Sequence, residues 1–109
     1  MLTQEMTMEL VDGLLQVFGN NIQQIILYGS VARKEETEES DIDIAIILNE
    51  QLDLDKKDEF ISWVADLDLK YEKVFSIIDI EKKNFDKWKN ILPFYRNICR
   101  EGIVLWKAA

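Results

Sequence analysis

Between Thr3 and Phe18 the apolar residues Leu10, Val11, Leu14, Leu15 and Phe18 recur at three- and four-residue spacings, which predicts one amphipathic helix. Gly19, Asn20 and Asn21 end it, because glycine and asparagine accept the left-handed turn of a helix terminus. The run from Ile22 to Tyr28 is short, rich in isoleucine and followed at once by Gly29-Ser30, which predicts a strand entering a tight turn. A brief helix is expected to begin near Ser30. Charged residues then dominate from Arg33 to Glu39, and Glu35-Glu36-Thr37-Glu38-Glu39 reads as a solvated loop. Asp41 to Leu48 returns to an isoleucine-rich strand interrupted by two acids. Asp53 is placed to cap a third helix with Phe60, Val64 and Leu67 on its buried stripe, and Ile61 and Trp63 broadening that face. A strand is expected from Glu72 to Ile80, then a short helix around Phe85 and Trp88. Pro93 starts another helix that carries Tyr95, Ile98 and Cys99 as core residues and stops at Gly102. Ile103 to Trp106 adds an edge strand.

This order predicts an α+β fold, in which helices cover a small mixed β-sheet in two layers. The 109 residues show no repeat, linker or low-complexity segment, so a single domain over residues 1–109 is expected. A net charge of −8 disfavours a nucleic acid duplex as a partner, because the average surface repels it. It does not disfavour a nucleotide, since a bound divalent cation reverses the sign of an acidic pocket. Cys99 is the only cysteine and histidine is absent, so neither an intrachain disulfide nor the usual zinc ligand sets can form. A reduced, cytoplasmic setting is the expectation. The first residues carry acids without a basic leader, and no apolar run approaches the roughly 20 residues that span a bilayer.

The chemistry concentrates between Gly29 and Asp43. Alternation along a strand puts Asp41, Asp43, Ala45 and Ile47 on one face and Ile42, Ile44, Ile46 and Leu48 on the other. Two carboxylates whose Cα atoms lie about 6.5 Å apart repel each other and need a positive counterpart. A hard divalent cation such as Mg²⁺ meets that need with oxygen ligands alone. Gly29 lets the backbone approach a ligand closely, and Ser30 adds a hydroxyl beside amides suited to an anion. A third acid would complete a two-metal arrangement. Taken singly, Asp-x-Asp at a strand start is more often a solvated turn, Gly-Ser an ordinary turn and Arg33 a surface residue; the combination at this spacing carries the inference.

The stretch LYGSVARKEETEESDIDIAII resembles the pattern of a strand, Gly-Ser, a spacer and Ser-Asp-x-Asp found in nucleotidyltransferases. It is similar to the minimal nucleotidyltransferase (MNT) domains of the DNA polymerase β-like superfamily, and LPFYRNICREGIVLW resembles their tail. The resemblance implies the nucleotidyltransferase fold, with Mg²⁺ on Asp41 and Asp43 and phosphates held by Gly29 and Ser30; Arg33 and Ser40, in and after the spacer, are the further candidate nucleotide contacts. It also implies a third carboxylate on a later strand, where Glu72 aligns and Asp79 is the fallback. The implied activity is transfer of a nucleoside monophosphate, usually AMP from ATP, to a protein hydroxyl. The implied partner is a HEPN-domain protein, with this chain as the antitoxin of a toxin–antitoxin pair. Two departures stand out: Lys34 occupies a place where the family commonly has glycine, and Glu72 a place where it has aspartate. A non-catalytic module that neutralises a HEPN partner by covering it, and a nucleotide sensor, are the competing readings. Acceptor, base preference and homo-oligomeric state stay open.

Overall fold

The computed structural model describes residues 2–35, 37 and 39–109, so Glu36 and Glu38 of the acidic loop lie outside the described residues. The chain runs through α1 (Gln4–Phe18), a single 3₁₀ turn (Gly19–Asn21), β1 (Ile22–Tyr28), α2 (Gly29–Ala32), β2 (Ile42–Leu48) and α3 (Leu54–Tyr71). It continues through β3 (Phe75–Glu81), α4 (Lys82–Trp88), α5 (Pro93–Glu101) and β4 (Ile103–Lys107). Local chemistry accounts for the boundaries. The Thr3 hydroxyl accepts from the Met6 amide and the Asp53 carboxylate from the Lys56 amide, satisfying first-turn amides that have no partner within α1 and α3. Pro93 opens α5, where its missing N–H costs nothing.

The strands form one sheet in the order β3-β2-β1-β4. β1 is antiparallel to β2 and β4, while β2 and β3 are parallel and joined through α3. The sheet is mixed, as the sequence pattern implied. Alternation along β2 divides its residues between two cores. Ile42, Ile44, Ile46 and Leu48 pack with Leu10, Leu14, Phe18, Phe60 and Leu67 beneath α1 and α3. Ala45 and Ile47 pack with Ile26, Ile80, Phe85 and Ile98 beneath α4 and α5. Each fully buried aliphatic side chain contributes about 1.5–3 kcal/mol relative to exposure, and the near-continuous run of isoleucine in β2 follows from its being covered on both faces.

Three expectations are corrected. The third strand begins at Phe75 rather than Glu72, because α3 continues to Tyr71 and Glu72 forms its left-handed cap with φ 52°. Ile61 is exposed, since the Phe60–Leu67 row takes the sheet side of α3 and turns Ile61 to solvent. Cys99 is also exposed, because α5 buries a narrow face centred on Ile98. Lys34 adopts φ 60°, so the turn after Arg33 has the left-handed shape that glycine would give, held here by a residue with a Cβ.

Gly102 joins α5 to β4 where a Cβ would collide with the carbonyl oxygen of Ile98 and the Cγ2 of Ile26. The first of these is backbone and cannot rotate away. Gly102→Ala is therefore expected to lower unfolding stability by about 1–3 kcal/mol, read from urea denaturation midpoints.

Candidate active site

Asp43 sits in a row across the sheet. Its register partner on β1 is Tyr28 and its partner on β3 is Ser76. By strand alternation all three share the face that also carries Ala45 and Ile47, beneath α4 and α5. Asp41 lies on the same face one step before β2, held there by the Ile42 amide, which donates to the carbonyl of Val74 at 2.8 Å. The two aspartates are thus brought together at one end of the sheet.

Gly29 faces this pair. Its φ is +75°, and a methyl group built on it would collide with Asp43 Oδ2 and lie 3.1 Å from Asp43 Cγ. Both the backbone conformation and the space require glycine. Ser30 follows in α2, and its carbonyl accepts from the Glu35 amide at 2.9 Å, closing the turn. α2 is a single turn of four residues, so its helix dipole is small; anion binding there would rest on individual N–H groups of the turn.

The electrostatics single out Asp43. Burial pushes its carboxyl above the usual range, the charge of Asp41 pushes it further, and Arg33 opposes both. The Tyr28 phenol is raised as well, by burial and then by Asp43. Arg33 is exposed and already engaged: its Nε donates to Glu35 at 3.0 Å and its Nη1 to Glu101 at 3.1 Å. These partners raise its pKa further. Ser40 closes a turn in which its Oγ accepts from the Thr37 amide at 2.8 Å. Ser40 borders a small hollow together with Glu39, Asp41, Glu72, Lys73 and Val74.

Glu72 borders the same hollow as Asp41, from a position outside β3. Among the described residues no group of three acids, cysteines or histidines is placed to hold a metal. The reason is the cap: with Glu72 outside β3, the β3 side chain beside Asp43 is Ser76, an alcohol. Asp79 pairs with Ile46 and belongs to the opposite face. Ser76 and Tyr28 are the members of the row that the sequence pattern did not single out. The signal for Ser76 lay in its alternation with Ile78 and Ile80, once the strand start is set at Phe75. A wider hollow of about 620 Å³ lies between α1 and α3, bordered by Met8, Asp12, Gly13 and Trp63, and shares no residue with the aspartates.

A strand, a Gly-Ser turn with a left-handed glycine and an antiparallel strand presenting Asp-x-Asp against it make the frame of a nucleotidyl-transfer site. The chain belongs to the polymerase beta nucleotidyltransferase family, whose model matches residues 13–108. A relative from Methanocaldococcus jannaschii, provisionally named a protein adenylyltransferase, is 39% identical over 98 residues, covering 90% of this chain and 92% of its own. A crystal structure of a toxin–antitoxin with AMP-PNP superposes with a TM-score of 0.64 at 20% identity, covering 94% of this chain and 73% of the other. An MNT antitoxin in complex with a tri-AMPylated HEPN toxin of Shewanella oneidensis superposes at 0.54 with 18% identity, covering 97% and 74%. At these identities the two structures establish the fold.

Two substitutions test the site. Because the folded-state pKa of Asp43 is raised, its contribution to stability is full below the unfolded pKa and lost as pH rises through the folded pKa. At neutral pH without metal the charge is a penalty, so Asp43→Asn is expected to melt a few degrees higher in EDTA. The difference should shrink as pH falls into the carboxylate range; equal melting at pH 7 would remove the penalty. At Glu72, substitution by glycine relieves a left-handed residue and is expected to stabilise the fold by about 1 kcal/mol. If the carboxylate serves only the cap, nucleotide affinity in a calorimetric titration stays unchanged; a large loss would make it a ligand.

Proposed function

We propose that this protein transfers a nucleoside monophosphate, AMP from ATP, to a hydroxyl on a protein acceptor, with Asp41 and Asp43 as ligands for Mg²⁺. The observation that carries the reading is the contact between Gly29 and Asp43. A backbone turn able to admit phosphate is placed directly against a carboxylate pair that lacks enough positive charge of its own. The donor set fits a hard divalent ion, because it offers carboxylate oxygens from Asp41 and Asp43 in a chain without histidine. When bound, such an ion supplies charge compensation for the triphosphate and for the departing pyrophosphate.

The residues of this chain then do the positioning. Amides of the Gly29-Ser30 turn hold phosphate oxygens, and Arg33 and Ser40 border the same end of the sheet. The acceptor oxygen attacks the α-phosphorus, a new P–O bond forms, and the bond to the bridging oxygen of pyrophosphate breaks. The hydroxyl proton is released to water. Most of the rate comes from alignment and fixed electrostatics rather than covalent chemistry by the protein. The relative named for protein adenylylation and the fold shared with MNT antitoxins support a protein acceptor, with a HEPN-domain protein as the partner. A reduced, cytoplasmic location suits this partnership; among the described residues no helix is long and apolar enough to cross a membrane.

A second reading, a non-catalytic module that neutralises its partner by covering it, is favoured by Ser76 standing beside Asp43 where a third carboxylate would stand. Transfer of label from α-³²P-ATP with Mg²⁺ to a HEPN-domain partner separates the two. Native protein is expected to label the partner, and Asp41→Asn/Asp43→Asn to reduce labelling by about 100-fold or more. Intact complex formation without label in either protein would establish the covering module.

A further inference from the structure

Arg33 is fastened to the Gly29-Ser30 turn through its backbone. Its amide donates to the carbonyl of Gly29 at 3.1 Å, and the amide of Glu35 donates to the carbonyl of Ser30 at 2.9 Å. Both residues are therefore fixed relative to the turn that faces Asp43. Burial and then Asp41 raise the Asp43 carboxyl, and Arg33 is the cation whose charge opposes them.

The second anchor of this arginine comes from a distant part of the chain. Glu101 is the last residue of α5, and Gly102 after it is pinned on β1: its amide donates to the carbonyl of Ile98 at 2.9 Å, and that carbonyl and Ile26 Cγ2 fill the space a Cβ would need. From this fixed point the Glu101 carboxylate accepts from Arg33 Nη1 at 3.1 Å, while Glu35 accepts from Nε at 3.0 Å. Two nitrogens of one rigid plane are thus held by two acids, which orients the guanidinium more firmly than either contact alone. Among the described residues Nη2 has no partner. Helix electrostatics do not account for Glu101, because a carboxylate in the last turn meets the negative end of the helix dipole. Stability does not account for it either: Arg33 and Glu101 are each 41% exposed, and pairs open to water contribute little to folding.

We propose that Glu101 is a positioning residue that acts through Arg33: from the end of α5 it braces the guanidinium beside the Gly29-Ser30 turn, so that the Nη2 edge is ready to donate to an oxygen of the triphosphate. This deepens the transferase reading and rests on it for the identity of the anion. The physical gain is one of order. A long arginine side chain left loose would lose rotamer freedom when the nucleotide arrives, and that loss opposes binding; a side chain ordered beforehand avoids it. Arg33 suits the role because a guanidinium carries about five N–H donors in a fixed fork, enough to keep both acids and still meet a phosphate.

The test uses the full chain and two readouts. The sequence holds three arginines, Arg33, Arg96 and Arg100, so their Nε–H signals can be followed one by one in a ¹⁵N spectrum. The heteronuclear NOE of Arg33 Nε is expected to stand above those of Arg96 and Arg100, and Glu101→Ala should bring it down to theirs. The same substitution should weaken the binding of AMP-PNP with Mg²⁺, measured by calorimetry, about tenfold. Glu101→Gln, which keeps an oxygen and loses the charge, should fall between. The melting temperature should stay level or rise slightly, since an acid leaves the helix terminus. In an Arg33→Ala background Glu101→Ala should change the affinity no further, because its effect passes through the guanidinium. An Arg33 signal as mobile as the other two in the native chain, or one indifferent to Glu101→Ala, overturns the proposal. So does an equal loss of affinity in the Arg33→Ala background, a fall in melting temperature that tracks the loss of affinity, or tighter nucleotide binding, which would make the contact a restraint on Arg33. A native chain without affinity for AMP-PNP, in which the Arg33 signal still responds to Glu101→Ala, keeps Glu101 as the brace and overturns the transferase reading instead.

Discussion

The carboxylate of Asp43 is held against a glycine backbone and beside a second carboxylate, where water cannot fully solvate it, and the arrangement around it follows from that constraint. Gly29 must lack a side chain because Asp43 fills the space where a Cβ would lie. The turn must be left-handed at that glycine, which fixes where Ser30 and the amides of α2 point. Arg33 offsets part of the charge from the far end of the same turn, and its own position is set by Glu35 and Glu101. The site is thus poor in positive charge at its centre, which is the condition under which oxygen ligands hold a divalent cation strongly.

The two-sided core makes this strained placement affordable. Ile42, Ile44 and Ile46 anchor β2 beneath α1 and α3 while Ala45 and Ile47 anchor it beneath α4 and α5. A strand gripped on both faces and paired on both edges has little freedom to turn its acids away from each other, so tertiary packing holds together charges that would otherwise separate. The same α4–α5 layer that completes the second core brings the Phe94 ring edge-on against Tyr28.

Much of this was legible along the chain. The helix at Gln4–Phe18, the strand at Ile22–Tyr28, the brief helix after it, the Asp53 cap and the Pro93–Gly102 segment all follow from periodicity and end signals. The nearness of Gly29-Ser30 to Asp41 and Asp43 was expected from their spacing, and the antiparallel pairing of Tyr28 with Asp43 brings it about. The end of α3 was less legible. Leu69-Lys70-Tyr71-Glu72 carries no glycine or proline, so nothing local distinguished a helix terminus from a strand start, and the left-handed turn fell on a glutamate. Ile61 and Cys99 escaped for a related reason: apolar residues beside a buried stripe are assigned by how wide the neighbouring layer is, and no local pattern records that width.

The sequence by itself determined that two acids share a face, because the period of a strand is two. It determined that a glycine-serine turn precedes them, because few other residues accept that turn. Tertiary structure alone decided what stands beside those acids. Register across β2 and β3 is a pairing between strands separated by the whole of α3, and it places Ser76 rather than Glu72 next to Asp43. A shift of one residue in that register would exchange the faces of β3, so the identity of the third group in the site depends on packing that no single stretch of residues encodes.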